Sequence, residues 1–581
     1  MKLSEQYEQL LLSFHERQSK TTLKELSGIL FCSERHTKNI IHDLKEIGWI
    51  DWSPGRGRGN VSTITFKVEL ETFIMQRAEQ LVSEASIDEA VSFIKSRTLN
   101  ALQKEQFLDW LLTKVIHSKE MESPGELDHL RFASYRPLPS LDPYYVHRRS
   151  ENHMMRHIYN RLIRYSETQQ DFVPELAHSF KSSEDELTWI FYLRKHVLFH
   201  DGQQVSAADI CESFQRHSDK RSAYHWMTAT ISSVKPLNMY TVEFTLTYRN
   251  PFFLHLIASL GGSIVKANKP NVPIGTGPFQ VVTNNEDKLT LQAFEHYFGY
   301  RPLLDKVTMY FFPQVYETST MEHAGLDKKL NFYQYPNSIK ANSTYEMNTI
   351  VDKGSKLLTI NQNRTIGVDI HLKKAINTML SRKKMVKELQ GNRHVPAYGM
   401  FSEYEVEIEH SLERAQEYLD LSDYDHDVLH LYSYIGAGNE KDSEWIQTEL
   451  SLIGIIVQVH ILPLSALHKL DLTQIADFLL GEQLSDEDQT YTYLSAFFGT
   501  HSFIQYHLTK AWNENIMKQL LTPRVEDRLA VLRLAEQTLC EEHSLLYLYR
   551  LQQSAIYPND LENIHLNALG WVDYTKLWYR H

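Results

Sequence analysis

Cysteine is scarce in this sequence of 581 residues, which contains three, Cys32, Cys211 and Cys540. Their odd number and wide separation give no sign of the disulfide framework that staples small secreted proteins. The scarcity favours a protein that works in a reducing compartment.

Long apolar runs are also absent. The longest, from Leu452 to Leu464, is interrupted by Gln458 and His460 and is too short to span a bilayer. The amino terminus, MKLSEQYEQLLLSFHER, carries charges throughout and lacks the apolar segment and cleavage site of a signal peptide. We therefore expect a cytoplasmic protein that does not contact a membrane.

The common enzyme motifs are missing as well. No P-loop, dinucleotide-binding fingerprint, Gly-x-Ser-x-Gly elbow or Cys-x-x-Cys occurs. His153 and His157 have the helical spacing of a zinc pair but lack the adjacent glutamate of a metalloprotease, and His426 and His430 fall in a strand-like run that separates them by about 13 Å. We expect no enzyme activity, no cofactor and no metal.

Length and charge indicate a divided molecule. At 581 residues the chain is too long for one core, so at least two domains are expected. The net charge of −13 argues against a protein that is coated by nucleic acid over its whole surface. The first 68 residues, however, carry ten Lys or Arg against eight Asp or Glu, a local charge of +2.

The first 47 residues carry three stretches of helical periodicity. One runs from Leu3 to Phe14, and a second begins at a capping-box pattern formed by Thr22 and Glu25. After a turn, a third begins at Ser33, a favourable capping residue. Its predicted inward residues are Ile40, Ile41, Leu44 and Ile47. Its predicted outer residues are Arg35, His36, Lys38, Asn39, His42 and Lys45.

The segment after Gly48, WIDWSPGRGRGNVSTITF, predicts a strand, a Gly-rich turn holding Arg56 and Arg58, and a returning strand. Three helices followed by such a hairpin have the order of a winged helix-turn-helix. A basic helix suits the major groove of double-stranded DNA, and a wing tip with two arginines suits phosphates or the minor groove. Each part alone also fits a solvated helix or a flexible turn, but the combination favours DNA.

The run TLKELSGILFCSERHTKNIIHDLKEIGWIDWSPGRGRGN resembles the amino-terminal domain of the SgrR-type regulators. The resemblance includes the Cys-Ser-x-Arg-His turn, the Gly-Trp-Ile-x-Trp segment that leads into the wing and the Gly-Arg-Gly wing tip. In that family this domain binds promoter DNA. The resemblance therefore implies DNA contacts by Arg35, His36, Lys38, Asn39, His42, Arg56 and Arg58.

A helical pattern continues from Glu69 to about Lys119, and the turn dipeptide Pro124-Gly125 follows within a polar segment. We accordingly divide the chain into a winged helix-turn-helix at 1–68, a helical connector at 69–125 and a ligand-sensing domain at 126–581.

From Leu127 onward, strand-like and helical segments alternate, which indicates an α/β architecture. Asp201-Gly202 predicts a hairpin turn, and Ser206 is a plausible helix cap. Characteristic segments include Leu141-Asp142-Pro143, HIYNRLIRY, FYLRKHVLFHDGQQVSAADICESF, Gly275-Thr276-Gly277-Pro278-Phe279 and WIQTELSLIGIIVQV.

In this order these segments resemble family 5 extracytoplasmic solute-binding proteins, which include oligopeptide and dipeptide receptors. The resemblance implies a two-lobed, class II periplasmic-binding-protein-like domain that closes on its ligand by hinge motion, with the second lobe at roughly 360–550. Peptide-binding members hold a free amine with an acidic residue in an Asp-Tyr-x-x-Pro segment. Asp486 stands in that position, although Glu487 and Thr490 replace Tyr and Pro, so Asp486 is either a ligand-binding residue or part of an acidic surface loop.

These observations lead to the hypothesis of a ligand-responsive bacterial transcription regulator. Its amino-terminal winged helix-turn-helix would bind promoter DNA, and the cleft of its carboxy-terminal domain would bind a small-molecule effector such as a sugar phosphate, a sugar or a peptide-like solute. The alternative is an intracellular oligopeptide- or solute-binding protein whose amino-terminal domain docks a protein partner rather than DNA.

Overall fold

The structure, a computed structural model, describes residues 3–14, 16–55, 61–84, 87–97, 127–134, 136–145, 148–266, 273–311, 345–401, 410–522 and 527–580. These residues form two compact units, one built from the described residues up to 97 and the other from those beginning at 127. Within these ranges, no helix is both long and apolar enough to cross a membrane.

The first unit, here called the head, contains five helices and a three-stranded antiparallel sheet of order β1-β3-β2. Its helices are α1 (Leu3–Ser13), α2 (Leu23–Ile29), α3 (Glu34–Glu46), α4 (Leu70–Glu84) and α5 (Ile87–Lys95). Its strands are β1 (Gln18–Thr21), β2 (Ile50–Ser53) and β3 (Ser62–Phe66). The predicted order of three helices and a hairpin is confirmed, and β1 is an additional strand that the sequence did not predict.

The amino-terminal end of α3 is capped as predicted. The Ser33 hydroxyl accepts a hydrogen bond from the backbone N–H of His36 at 3.3 Å. Ile40, Ile41 and Leu44 are buried, whereas Ile47, which we expected to face inward, is 49% exposed. The prediction for Ile47 is wrong: this residue is the C-cap of α3 and keeps a helical conformation, but its side chain at the end of the helix is not covered.

Tyr7 links α1 to the residues that follow the hairpin. Its side chain is fully buried, and its hydroxyl donates a hydrogen bond to the carbonyl oxygen of Val68 at 2.7 Å, while the carbonyl oxygen of Trp49 lies 3.1 Å from the same hydroxyl. Its ring also packs against Phe73 of α4, with ring centroids 5.0 Å apart. The start of the predicted connector therefore shares the core of the head.

The second unit contains four sheets of two to seven strands and a two-stranded carboxy-terminal pair. Its helices of four or more residues are α6 (Arg149–Ile158), α7 (Ala207–Gln215), α8 (His225–Thr228), α9 (Phe253–Ala258), α10 (Thr365–Val368), α11 (Ile370–Met379), α12 (Arg382–Leu389), α13 (Leu412–Asp420), α14 (Asn439–Ser451), α15 (Leu464–Leu467), α16 (Leu472–Ile475), α17 (Gln489–Phe498), α18 (Phe503–His507), α19 (Lys510–Leu521) and α20 (Arg528–Glu541).

The strands of the second unit are β4 (His129–Ser134), β5 (Ile163–Ser166), β6 (Asp171–Pro174), β7 (Ala177–Ser182), β8 (Thr188–Leu193), β9 (Ile231–Asn238), β10 (Thr241–Leu246), β11 (Phe279–Asn284), β12 (Lys288–Ala293), β13 (Lys306–Phe311), β14 (Tyr345–Val351), β15 (Ser355–Ile360), β16 (Arg393–Pro396), β17 (Leu429–Tyr434), β18 (Val457–Leu462), β19 (Phe478–Gln483), β20 (Leu545–Pro558), β21 (Leu561–Glu562) and β22 (Trp578–Tyr579).

Two lobes divide these elements. Lobe I comprises the described residues of 127–311 and 559–580, with the sheets β7-β8-β10-β9 and β11-β12-β13-β4 and a β5-β6 pair. Lobe II comprises those of 352–550, on a sheet of order β14-β20-β15-β19-β17-β18 in which β16 also pairs with β20. The predicted two-lobed α/β fold is confirmed.

A ribbon of two strands joins the lobes. The carboxy-terminal half of β20 pairs with β14 antiparallel from Gln552 to Pro558, while its first half pairs with β15 and β16. Leu546 at one end belongs to a core of lobe II, and Ala555 near the other belongs to a core of lobe I. One uninterrupted strand therefore belongs to the cores of both lobes.

The lobe II end of this ribbon is held by a buried arginine. Arg550 donates hydrogen bonds from its two terminal nitrogens to four backbone carbonyl oxygens, those of Lys353, Gly354, Gly399 and Met400. Its fork-shaped guanidinium, with several fixed donors, is well suited to bind several carbonyl groups at once.

A second buried polar group fixes the sheet of lobe II. Asp442 of α14 is fully buried, and its carboxylate accepts hydrogen bonds from Arg393 Nε at 2.8 Å and from the Tyr549 hydroxyl at 2.5 Å. Lys356 Nζ lies 3.7 Å from the same carboxylate. These residues belong to β16, β20 and β15, so one carboxylate connects three neighbouring strands to α14.

Candidate DNA interface and interlobe cleft

The side chains proposed for DNA binding share one exposed face of α3. Arg35, Lys38, Asn39 and His42 recur at intervals of three and four residues, which places them within an arc of about 100° on a helix. All four are exposed, as is His36 beside them. The buried residues Thr37, Ile40, Ile41 and Leu44 occupy the opposite arc.

Of the wing, the structure describes the two strands but not the tip. β2 and β3 pair in register, with Trp52 opposite Ile64. Lys67 forms an ion pair with Asp51 at 3.0 Å, so this lysine is already matched within the head. Arg56 and Arg58 lie outside the described residues.

In the second unit, the carboxy-terminal end of α6 rests on the Gly-Thr-Gly-Pro-Phe turn. A Cβ at Gly275 would lie 2.1 Å from the carbonyl oxygen of Ile158, and one at Gly277 would lie 2.4 Å from that of His157. The Gly277 N–H also donates to the Ile158 carbonyl at 2.9 Å. The two glycines therefore allow the turn to approach the backbone of α6 directly.

His200 connects this turn to the Asp201-Gly202 hairpin. Its Nε2 donates to the Gly277 carbonyl at 3.0 Å, and its Nδ1 accepts from the Gly275 N–H at 3.3 Å. Burial lowers the pKa of His200 to about 4, so the ring is neutral and can serve as donor and acceptor together. Gly202 has a φ of +83°, which confirms the predicted turn.

Ser206 begins α7 as the sequence predicted. Its backbone N–H and its hydroxyl both donate to the Asp209 carboxylate, at 2.8 and 2.6 Å. The segment from the Asp201-Gly202 hairpin to α7 is thus connected through the hydrogen bonds of His200 to the turn that supports α6.

Gly277→Ala tests this support. We expect the added methyl group to raise the free energy of the folded state by about 3 kcal/mol, because the backbone of α6 must move to admit it. Thermal unfolding of the full chain measures the destabilisation. Gly28→Ala is the matched control, since a Cβ there meets no atom within 4 Å and alanine favours a helix over glycine. Equal unfolding temperatures for the two variants would contradict the expected contact.

From α6, Arg156 reaches an acidic pair in the segment between β19 and α17. Its Nη2 donates to Asp486 at 2.7 Å and its Nη1 donates to Glu487 at 2.6 Å. The three side chains are 16%, 21% and 31% exposed. Burial raises the pKa of Asp486, whereas the charge of Arg156 lowers the pKa of Glu487. Asp486, our ligand-binding candidate, thus lies between the lobes and is paired with an arginine of lobe I.

Two neighbouring arginines of lobe I also contact lobe II or its ribbon. Arg149 Nη2 lies 2.5 Å from the Asp352 carboxylate, and Arg149 Nη1 donates to the Leu569 carbonyl at 2.7 Å. Arg148 donates to the Ile435 carbonyl at 3.1 Å. Helix α6 and the residue before it therefore contribute three arginines to the polar contact between the lobes.

These arginines were not predicted from the sequence. Arg149 and Arg156 are seven residues apart, which places them on one face of a helix, and this spacing was the available signal. Their partners lie about 200 and 330 residues away along the chain, so no local pattern shows that they meet.

The histidines of α6 fit a structural role. His157 Nε2 accepts from the Tyr574 N–H at 3.1 Å, and its Nδ1 donates to the His153 carbonyl at 3.0 Å. His153 is fully buried and stacks on Trp571 with ring centroids 4.9 Å apart. In the described part of the chain, no three His, Cys, Asp or Glu side chains come together as a metal site.

Comparison with protein families agrees with this geometry. The profile of the bacterial extracellular solute-binding proteins, family 5 (middle), matches residues 171–503, more than half of the chain. The chain therefore belongs to this family of two-lobed solute-binding proteins.

A second profile, described as the N-terminal domain of the sugar transport-related sRNA regulator, matches residues 2–109. The chain thus carries a domain that matches this N-terminal profile in front of a family 5 domain, as the sequence resemblance implied.

Two relatives show how far the similarity extends. The uncharacterized protein YhjP of Bacillus subtilis (strain 168) is 26% identical over the full length of both chains. The HTH-type transcriptional regulator SgrR of Yersinia enterocolitica is 31% identical over 322 residues, which is 54% of this chain and 55% of that protein. The match to the named regulator thus spans about half of each protein.

Among solved structures, the oligopeptide-binding protein AppA from Bacillus subtilis, in complex with a nonapeptide, superposes with a TM-score of 0.64. The similarity covers 78% of this chain and 99% of that one at 20% sequence identity. It establishes the fold of the second unit.

Proposed function

We propose that this protein is a cytoplasmic transcription regulator that binds promoter DNA with its head and a small solute between the lobes of its second unit. It would bind its effector without transforming it. The observation that most directly supports this proposal is the exposed stripe of Arg35, Lys38, Asn39 and His42 on α3, opposite the face that α3 buries.

The composition of this stripe suits base and phosphate recognition. Arginine and lysine donate to guanine and to phosphate oxygens, and asparagine can bind adenine with two hydrogen bonds. α3 is the second helix of the helix-turn-helix, the position from which such proteins enter the major groove. The named regulators to which this chain is similar support the same role.

Regulation by solute would require that the ligand binds one arrangement of the lobes more tightly than another, because only differential affinity shifts such an equilibrium. The continuous ribbon of β14 and β20 is the element that would carry this change, since it belongs to both lobes.

The test measures binding of the full-length protein to a duplex from the upstream region of its own gene. A shuffled duplex of equal length and composition is the control. We expect the specific duplex to bind at least about 1,000-fold more tightly. Raising salt from about 50 mM to about 200 mM is expected to weaken both complexes strongly, because counterions are released from each contacted phosphate.

Equal, weak binding to the two duplexes would reject the proposal. The alternative, a head that docks a protein partner, would then be the better account. Fluorescence anisotropy gives both affinities from the same titration series.

A further inference from the structure

Three consecutive acidic residues of lobe II each meet a basic side chain of lobe I. Asp486 and Glu487 share the guanidinium of Arg156, and Asp488 lies 2.5 Å from His255 Nδ1 of α9. The side chain of Asp488 is only 5% exposed. The acids lie between β19 and α17, whereas the bases belong to α6 and α9, so every pair crosses from one lobe to the other.

Arg156 binds two carboxylates, one with each terminal nitrogen of its guanidinium group. Each terminal nitrogen donates to a different carboxylate, at 2.6 and 2.7 Å, which are the distances of strong charge-assisted hydrogen bonds. Asp486 also accepts from the Asp488 N–H through its second oxygen, at 3.3 Å. The two carboxylates thus form a built site for a cation, and the chain fills it with its own guanidinium.

We propose that Arg156 determines the ligand specificity of the cleft by acting as a tethered cation, so that the natural ligand carries no ammonium group. This inference rests on the proposed function, because it treats the space between the lobes as the effector site. A cationic ligand would have to displace Arg156 and leave a desolvated guanidinium without its partners, which is costly. A neutral or anionic solute avoids that cost.

The first experiment asks whether the acidic pair becomes a cation site once Arg156 is shortened. Arg156→Ala removes a fragment equivalent to ethylguanidinium, which is therefore the probe. We expect a saturable rise in the unfolding temperature of the full-length Arg156→Ala protein with ethylguanidinium, and none with the neutral analogue N-ethylurea. The wild-type protein should show no saturable response to either compound.

A matched variant identifies the site of this effect. In Arg156→Ala combined with Asp486→Asn and Glu487→Gln, the response to ethylguanidinium should disappear. Arg156→Gln provides a second test if the alanine variant does not fold, because glutamine keeps bulk and polarity while removing the charge. Each variant is compared at the same pH and ionic strength, so that general salt effects cancel.

The second experiment concerns ligand choice. Isothermal titration compares a tripeptide of alanine with a free amino terminus and the same peptide acetylated at that end. We expect the wild type to show no preference for the free amine, and Arg156→Ala to prefer it by at least about tenfold, the ratio for one charge-assisted contact.

Two outcomes would overturn the inference. One is a wild-type protein that prefers the free amine by about tenfold or more, and the other is a folded Arg156 variant that gains no preference for cations. Neither outcome depends on DNA. A protein that shows the cation response but no specific promoter binding would retain the inference about Arg156 and lose the regulator proposal.

Discussion

Replacing Arg35 and Lys38 together with glutamate is expected to weaken specific promoter binding by at least about 100-fold. A good bidentate pair of hydrogen bonds to a base edge is worth about 1–3 kcal/mol of discrimination against the wrong base, and the two new carboxylates repel the DNA backbone in addition. Both side chains are exposed on α3, so the change should leave the folding of the head intact. Fluorescence anisotropy of the full-length protein measures the affinity.

Arg77→Glu on α4 provides the matched control. It reverses a charge in the same unit, on a helix that packs against α1 and α5. Circular dichroism and unfolding temperature establish that both variants fold. If the variant with two glutamates occupies the promoter in cells as fully as the wild type does, α3 is not the recognition helix.

Of the substitutions named for stability, Asp442→Ala should lower the free energy of unfolding most. The substitution leaves Arg393 and Lys356 buried, at 4% and 3% side-chain exposure, without the carboxylate that compensates their charges. Removing one partner of a buried ion pair costs about 3–5 kcal/mol. For a lobe of this size, we expect the unfolding temperature to fall by about 10 °C.

Glu413→Ala, at an exposed position in the first turn of α13, is the control for removing a carboxylate from lobe II. Exposed substitutions of this kind change stability by about 0.5 kcal/mol or less. Differential scanning calorimetry of both variants gives the comparison. Similar transitions for the two would show that the network around Asp442 contributes little.

The sequence predicted those parts of the molecule that depend on neighbouring residues. The faces of α3 follow from a period of about 3.6 residues, and the cap at Ser33 and the turn at Asp201-Gly202 depend on a few residues each. The family resemblance, carried by such local segments, was confirmed by the match to the family 5 profile.

What the sequence did not predict depends on contacts between distant residues. β1, with the sequence QSKT, has no apolar alternation and forms a strand because it pairs with β3 more than forty residues later. Likewise, the acidic position of Asp486 was visible in the sequence, but its pairing with Arg156 spans 330 residues. A pattern read along the chain contains no information about that partner.

The continuity of β20 bears on how the lobes can move. This strand is 14 residues long, about 46 Å at about 3.3 Å per residue, and no loop interrupts it. Arg550 anchors its middle to four carbonyl groups, so bending is restricted to the stretch after that residue. Opening must therefore twist a hydrogen-bonded ladder instead of rotating about a single flexible peptide. We therefore expect the paired strands to resist twisting and to return the lobes toward one preferred angle.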